Sequence, residues 1–246
     1  MRSLPFPVDR PPRSGILFPM TRSFKAIILF FFLLSAASQA EHVIVTGGPA
    51  LRKWENYRVS DDQHDRWWAN FVRASTLRMA EVRLAYGKDA SLVWLVYRPG
   101  YEARGREDGK PYTQWIAEQA SKRSATLIWF TTGGDFINKL NSRPRGSVES
   151  FDYFGHSNKF CFLFDYGSEI MAASTEWLHE RDIPRLKSSI FKSNAYCKSW
   201  GCHTGGSMSQ VWKRHIGIGL EGALGKTVYT EVGHGQMPQG FGGWTQ

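Results

Sequence analysis

Two glycine-flanked segments of this 246-residue chain carry the residue types that nucleophilic catalysis needs. The first is Gly201-Cys202-His203-Thr204-Gly205, and the second is Gly155-His156-Ser157-Asn158. A cysteine nucleophile needs a neighbouring base, together with backbone N–H groups that receive the negative charge on the substrate oxygen. The glycines would let a substrate carbonyl approach the backbone closely. The pattern therefore makes Cys202 a candidate nucleophile and His156 a candidate partner for it.

Cys202 has two competitors, because the chain contains three cysteines, Cys161, Cys197 and Cys202. Cys197 lies inside a predicted strand, which suits a packed or disulfide-bonded thiol better than an exposed, reactive one. If Cys161 and Cys197 pair, Cys202 is the single free thiol that an odd count predicts in an exported protein. The alternative, in which Cys202 is a packed thiol and His156 an ordinary loop residue, stays open.

The elements that must position these residues alternate along the chain between short apolar runs and amphipathic stretches. The spacing of apolar residues and the positions of turn-forming residues predict seven strands. They cover 43–45, 92–97, 127–130, 150–154, 160–164, 194–201 and 226–232. The same features predict helices over 61–82, 112–121, 135–140, 174–191 and 207–215, with a polar loop over 101–110. The alternation indicates an α/β fold, with a mostly parallel sheet and helices on both faces.

A parallel sheet would bring the two segments together, because working residues gather in loops beyond the carboxyl ends of its strands. His156 and Cys202 each follow a predicted strand, so both should lie at the same edge, with about 3–6 Å between the ring and the sulfur. The runs 43–45, 92–97, 127–130 and 194–201 are the strands expected as parallel neighbours, buried on both faces. We expect one domain over 41–233 and a loose glycine-rich tail over 234–246.

The order of these segments resembles the catalytic core of caspase-like cysteine peptidases, a superfamily that includes gingipains, legumain-type enzymes, clostripain and CHAT-type proteins. The resemblance rests on Phe151–Asn158, then Asp165-Tyr166-Gly167, then Ser199–Gly205. In that superfamily the histidine precedes the cysteine and each follows a core strand; here 46 residues separate the two. Papain-like and NlpC-type enzymes have the opposite order.

The resemblance implies a three-layer caspase-like sandwich and a secreted cysteine peptidase or related amide hydrolase that needs no cofactor or metal. Its substrate would be a protein or peptide, and backbone N–H groups at Ser157 and Cys202 would face the oxyanion. The chain departs from the superfamily at Ser157, where many members have glycine. Two alternatives remain: a non-catalytic secreted α/β binding module of the same fold, and a hydrolase of an amide other than a protein's.

The first 40 residues are expected to comprise an upstream extension over 1–19 and a secretory signal peptide over 20–40. A basic start after Met20, an apolar run over 27–34, and small residues at Ser38 and Ala40 form that pattern. The run is too short for a hydrocarbon core of ~30 Å, so we expect no stable membrane anchor. We expect a secreted or periplasmic protein, cleaved near Ala40 and beginning at Glu41, with Met20 a candidate start; a retained anchor is the alternative.

Charge and the remaining motifs add little. The net charge of +9 falls to +5 over 206 residues once residues 1–40 are removed, and no run of Lys and Arg predicts a nucleic-acid partner. The run Asp61–Asp65 contains metal-ligand types, but consecutive helical residues do not share a face, so a solvated helix start is expected. Four of the ten tryptophans, Trp67, Trp68, Trp94 and Trp129, stand at apolar-periodic positions that favour core packing over sugar stacking.

Overall fold

A computed structural model describes residues 39–60, 63, 65–170 and 173–245. The predicted signal peptide lies outside these residues up to Ser38, and the first strand begins at Glu41, directly after the predicted cleavage point. The strands are β1 Glu41–Thr46, β2 Ser91–Tyr97, β3 Thr126–Phe130, β4 Val148–Phe154, β5 His156–Ser157, β6 Cys161–Leu163, β7 Trp177–His179, β8 Phe191–Ser199, β9 Leu220–Gly222, β10 Thr227–Val228 and β11 Gln239–Gly240. The α-helices are α1 Arg52–Glu55, α2 Asn70–Tyr86, α3 Arg98–Asp108, α4 Tyr112–Lys122, α5 Gly133–Asn141 and α6 Ser207–Ile216.

The central sheet has six strands in the order β3-β2-β1-β4-β8-β9, and every neighbouring pair is parallel. The predicted α/β class and the parallel arrangement of the four apolar strands are therefore confirmed, with β4 inserted between β1 and β8. Strand order reverses between β1 and β4. In open parallel sheets, the crevice beyond the carboxyl ends at such a reversal is where ligands bind.

Helices cover both faces of the sheet, which gives three layers. Along β1, Val43 and Val45 join a core that includes α5 and α6, whereas Ile44 joins a second core that includes α2, α3 and α4. All three side chains have no solvent exposure. Burial on both faces explains why the strands are continuously apolar rather than alternating.

Two small sheets lie outside the central one. The predicted strand over 160–164 exists as β6, but it belongs to an antiparallel sheet with β5 and β7. The predicted strand over 226–232 is shorter, because β10 covers only Thr227–Val228 and a 3-10 helix follows over Thr230–His234.

The predicted polar loop over 101–110 is wrong, because most of it belongs to α3. Arg104 on that helix is fully buried and donates hydrogen bonds from Nη1 to the carbonyls of Ala50 and Asp65, at 2.8 and 2.9 Å. A buried arginine that satisfies distant carbonyls reads as polar in the sequence. Local hydropathy therefore could not predict that this helix packs against the core.

Two other predicted helices differ from the structure. The helix predicted over 61–82 begins only at Asn70 and continues to Tyr86. The helix predicted over 174–191 is wrong: strand β7 is followed there by 3-10 helices over Glu180–Arg185 and Ser188–Ile190. Pro184 has no N–H and cannot support α-helical hydrogen bonding within that stretch.

The predicted loose tail over 234–246 is also wrong for the residues described. Strand β11 pairs with β10, and Trp244 bridges to Ala223 in antiparallel fashion. The Trp244 ring packs edge-on against Trp200, with 5.3 Å between ring centroids. Because Trp200 lies two residues before Cys202, the tail contributes directly to the packing beside the predicted nucleophile.

Candidate active site

His156 and Cys202 follow two adjacent parallel strands at the same edge of the sheet. Strand β4 ends at Phe154 and β8 ends at Ser199, and these strands pair in parallel. The two residues therefore stand two and three positions beyond their strands. The expectation that the sheet places both at one edge is confirmed.

The two loops are in direct contact through Ser157 and Gly201. The Ser157 hydroxyl donates a hydrogen bond to the Cys202 carbonyl at 2.8 Å. A Cβ atom on Gly201 would lie 2.1 Å from the Ser157 oxygen and 3.1 Å from the Gly155 carbonyl oxygen. Only glycine permits this approach, so the glycine before the cysteine sets how close the two loops come.

The His156 ring is held by a carboxylate that the sequence did not assign to the site. Its Nε2 lies 2.5 Å from Oδ2 of Asp65, 91 residues earlier in the chain. Ionised Asp65 can only accept, so Nε2 carries the proton and Nδ1 carries the lone pair. Nδ1 makes no hydrogen bond to any described residue. The contact therefore leaves Nδ1 as the ring atom that can accept a proton.

Asp65 is itself held in its ionised form. The side chain is buried, and its Oδ2 also accepts the Ala50 N–H at 2.7 Å. Burial acts to raise the pKa of Asp65, but the His156 charge and hydrogen bond, the Ala50 N–H and the charge of Arg104 together hold the pKa below its usual value. Asp65 therefore faces the His156 ring as a carboxylate ion.

Aromatic side chains fix the orientation of the His156 ring. Phe71 meets it edge to face, with centroids 5.0 Å apart and an interplanar angle of 88°. Tyr166 packs against it at 4.1 Å. The imidazole is only 13% exposed. The ring is therefore held between two aromatic side chains and a carboxylate, in a setting that contains little water.

The Cys202 sulfur points to a different neighbour. It accepts the Thr227 N–H at 3.3 Å and lies 3.4 Å from the Thr227 hydroxyl. A backbone N–H that donates to the sulfur stabilises the thiolate form. No hydrogen bond joins this sulfur to His156, although both residues are described. The predicted separation of about 3–6 Å between ring and sulfur stays a prediction.

The structure separates Cys202 from the other two cysteines by exposure. All three thiols are free, so the pairing of Cys161 with Cys197 that the sequence left open does not occur. Cys161 and Cys197 are buried, whereas Cys202 is half-buried. Burial raises the pKa of Cys161 to about 11 and that of Cys197 further still. Cys202 is therefore the thiol best placed to react.

One of the two predicted oxyanion donors is free to act. The Cys202 N–H donates no hydrogen bond to any residue in the described part of the chain, whereas the neighbouring Gly201 N–H donates to Ser199 and the His203 N–H to Gly225. The Ser157 side chain, by contrast, is engaged with the Cys202 carbonyl. The role predicted for the Ser157 N–H stays a prediction.

The Tyr229 hydroxyl forms hydrogen bonds at the start of both loops. It donates to the Trp200 carbonyl at 2.9 Å and receives the Gly155 N–H. Burial raises the pKa of this hydroxyl well above 10, so it stays protonated and able to donate. Since Trp200 and Gly155 precede Cys202 and His156, one side chain sets the spacing of both loops.

Sequence reasoning missed three contributors, Asp65, Thr227 and Tyr229. Asp65 was considered only as part of a possible metal site or a solvated helix start. It is buried, and it lies before the first turn of α2. The other two lie in a segment predicted as a plain strand. No local pattern signals these contacts, because each joins segments at least 25 residues apart.

Two other ligand classes find little support at this edge. The Gly47 and Gly48 N–H groups after β1 donate to the Phe154 and Phe164 carbonyls, so they are not free to hold a phosphate. No cluster of three or more His, Cys, Asp or Glu side chains suited to a metal occurs among the described residues. Asp61, Asp62 and His64 of the acidic run lie outside them.

Comparison with known proteins adds no assignment. No family model, no curated protein and no solved structure matches the chain. None of the helices in the described residues combines the length and the apolar character needed to cross a bilayer.

Proposed function

We propose that this chain is a cysteine-type amide hydrolase acting on protein or peptide substrates, with Cys202 as nucleophile and His156 as general base. The observation that carries the proposal is the 2.5 Å contact of the His156 ring with buried Asp65, at the sheet edge where Ser157 joins the His156 and Cys202 loops. Asp65 holds the ring in one tautomer, as a positioning carboxylate does in other hydrolases. Export and a caspase-like fold family belong to the same proposal.

The chemistry begins with transfer of the thiol proton to Nδ1 of His156. The thiolate attacks the amide carbonyl carbon, forming a carbon–sulfur bond, and the Cys202 N–H donates to the resulting oxyanion. The imidazolium then gives its proton to the leaving nitrogen as the carbon–nitrogen bond breaks. Water, deprotonated by His156, hydrolyses the thioester and restores the thiol. Asp65 stabilises the imidazolium in both halves of the cycle.

One rearrangement precedes this cycle. In the structure the Cys202 sulfur is hydrogen-bonded to Thr227. To reach Nδ1 of His156, the sulfur must first rotate about the Cα–Cβ bond of Cys202. Side-chain rotations of this kind are fast, and catalytic hydrogen bonds often tighten only when substrate binds. The Thr227 N–H would stabilise the resting sulfur until then.

A cavity of about 500 Å³ offers space for part of a substrate. Its described lining residues come from the chain just before α2, from the first residue of α2, and from the stretch between Val228 and Gly233. Val228 follows Thr227 directly, so the cavity begins beside the sulfur's hydrogen-bond partner. Arg66 and Gln63 supply donors at its wall, as expected of a pocket that fixes the orientation of a ligand.

The hydrogen bonding of the Cys202 sulfur to Thr227 also favours a second candidate function, the non-catalytic binding module. In that case the Asp65–His156 pair and the Cys202–Thr227 contact are independent structural features. The two candidates differ in one property: only the hydrolase needs the histidine to control the reactivity of the thiol.

A peptidyl electrophile tests the proposal directly. A library of peptide acyloxymethyl ketones, which alkylate only cysteines that first bind the peptide, should label Cys202 and neither Cys161 nor Cys197. The label should disappear in His156→Ala and persist in His215→Ala, a change at the carboxyl end of α6. Peptides that label well should then be cleaved when supplied as amides. Labelling that is absent, or unchanged in His156→Ala, would reject the hydrolase in favour of the binding module.

A further inference from the structure

A second cavity, of about 340 Å³, lies between the start of α2 and the helix α4. Three tryptophans line it, Trp67, Trp68 and Trp115. Trp67 and Trp115 are 41% and 36% exposed, whereas Trp94 in the core has no exposure. The prediction that Trp67 packs in the core is therefore wrong. What distinguishes these two exposed indoles is that both line the same cavity, where they present apolar surface to a ligand.

The aromatic wall is held in place by packing between its own rings. Trp68 stacks on Tyr112 at 4.0 Å with an interplanar angle of 15°, and both rings lie within 6 Å of Trp115. Tyr112 is anchored in turn by its hydroxyl, which donates to Asp108 at 2.7 Å. Rings held by packing lose little entropy when a ligand stacks on them.

The rim of the pocket is polar and carries both donors and acceptors: Arg73, Thr76, Glu118 and Gln119. Arg123 holds the Gln119 side-chain oxygen at 2.7 Å, which turns the amide nitrogen of Gln119 outward as a donor. Glu118 is the only carboxylate among the lining residues. A ligand with several hydroxyls satisfies such a rim, whereas an aliphatic side chain leaves it unpaired.

Among the described residues, three arginines lie on or beside the two helices that form the pocket. Arg73, Arg83 and Arg123 lie on the facing parts of α2 and the end of α4, and none forms a salt bridge with a carboxylate in the described part of the chain. Burial and the charge of nearby Arg73 lower the pKa of Arg123. The buried Arg83 Nε makes no hydrogen bond. This charge repels a quaternary ammonium ion, the usual ligand of an aromatic cage, and attracts an anion.

We propose that this tryptophan-lined pocket binds a carboxylated pyranose, such as a uronic acid residue of an acidic glycan. The C–H face of the ring would stack on the exposed indoles and the hydroxyls would pair with the rim. The carboxylate would lie against Arg73. The proposal does not depend on the hydrolase, because the pocket contains none of the candidate catalytic residues.

Calorimetric titration of the full chain with trigalacturonic acid tests the proposal. We expect saturable binding, at least tenfold tighter than for cellotriose, the neutral trisaccharide, and weakened as salt is raised because the ion pair with Arg73 is screened. Trp115→Ala and Arg73→Ala should each weaken it about tenfold or more. Trp177→Ala, at an indole 43% exposed on β7, and Arg214→Ala, on exposed α6, should not change it.

Four results would overturn the assignment. The first is no heat of binding with trigalacturonic acid, and the second is equal binding in the Trp115 variant. The third is preference for cellotriose, which would remove the carboxylate from the proposal. The fourth is preference for choline or for a short oligothymidine, which would assign the pocket to a quaternary ammonium or to a stacked base. Unchanged peptide-probe labelling of Cys202 in the pocket variants would keep this test separate from that of the hydrolase.

Discussion

Asp65 decides which nitrogen of His156 is available for chemistry. Because the buried carboxylate accepts a hydrogen bond from Nε2–H, Nδ1 is left as the ring nitrogen that can accept a proton. Asparagine at this position keeps the shape but removes the charge that stabilises the imidazolium. The residue therefore acts through His156 rather than on the substrate.

The first prediction is the effect of Asp65→Asn on turnover. We expect kcat to fall by about 10² to 10⁴ with little change in KM, since the residue does not contact substrate. Steady-state kinetics from pH 5 to 9 on the best library peptide checks this. A larger change in KM than in kcat would contradict the positioning role.

The second prediction concerns the same carboxylate and stability. The pKa of Asp65 in the folded protein lies below the unfolded value of about 3.9. The ionised carboxylate therefore makes its full contribution to the free energy of unfolding above about pH 3.9, and that contribution is lost as the pH falls through the folded pKa. The free energy of unfolding of wild type should exceed that of Asp65→Asn by roughly 1–3 kcal/mol at pH 6, and the difference should shrink below about pH 4. Urea unfolding at several pH values measures it. The control Asp89→Asn, at an exposed site, should show no such difference from wild type. If the difference in unfolding free energy between wild type and Asp65→Asn did not change with pH, the argument would be contradicted.

At the scale of elements, the two loops are set by a close backbone approach. Gly201 lies against the Ser157 side chain, and Tyr229 ties the start of each loop. The elements themselves carry no chemistry. They determine whether a thiol on one loop can reach a ring on the other.

The third prediction follows from that approach. Gly201→Ala should destabilise the fold by roughly 1–3 kcal/mol and abolish labelling of Cys202, because the new methyl overlaps the Ser157 side chain. Adding Ser157→Gly removes the oxygen and the Cβ that overlap the new methyl. The double variant should therefore recover part of the stability and part of the Cys202 labelling. Urea unfolding and probe labelling supply the two readouts. Gly219→Ala is the control, since nothing lies within 4 Å of its added Cβ; equal losses there would contradict the steric argument.

The sequence predicted the strands of the sheet better than the elements around them. The runs in β1, β2 and β3 are apolar on both faces, so hydropathy alone located them and the edge where His156 and Cys202 lie. Hydropathy did not predict helix α3, because the buried Arg104 is polar and pairs with carbonyls far away in the chain. It also did not predict the ordered tail, where Trp244 packs on Trp200. Asp65 was missed for the same reason. Its role depends on a partner 91 residues away, and no local period records that contact.

At the scale of the whole molecule, the described residues are organised around one central six-stranded sheet. Its strand order reverses where the candidate site lies, and its β1 begins at Glu41. The Glu41 N–H donates to the Ser147 carbonyl at 2.8 Å. Cleavage after Ala40 would therefore leave the sheet complete from its first residue. The proposed export and the fold are consistent at this junction.

The fourth prediction is the mature terminus. Expression from Met20 in a bacterium with a secretory pathway should yield a chain that begins at Glu41, because Ser38 and Ala40 supply the small residues that cleavage requires. N-terminal sequencing of exported material identifies the first residue. Ala40→Lys should block processing, and Lys53→Ala, within the mature chain, should not. An intact apolar segment in the membrane fraction would instead support a retained anchor.

The fifth prediction is the most direct test of the claim that His156 activates Cys202, and it needs no substrate. The rate of alkylation of each cysteine by iodoacetamide is measured by mass spectrometry from pH 5 to 10, in wild type and in His156→Ala. In wild type, Cys202 should react faster than Cys161 and Cys197, because it is the more exposed thiol and the one near a base. In His156→Ala its rate of alkylation should fall, because the base has been removed. Identical Cys202 profiles in the two proteins would contradict the account.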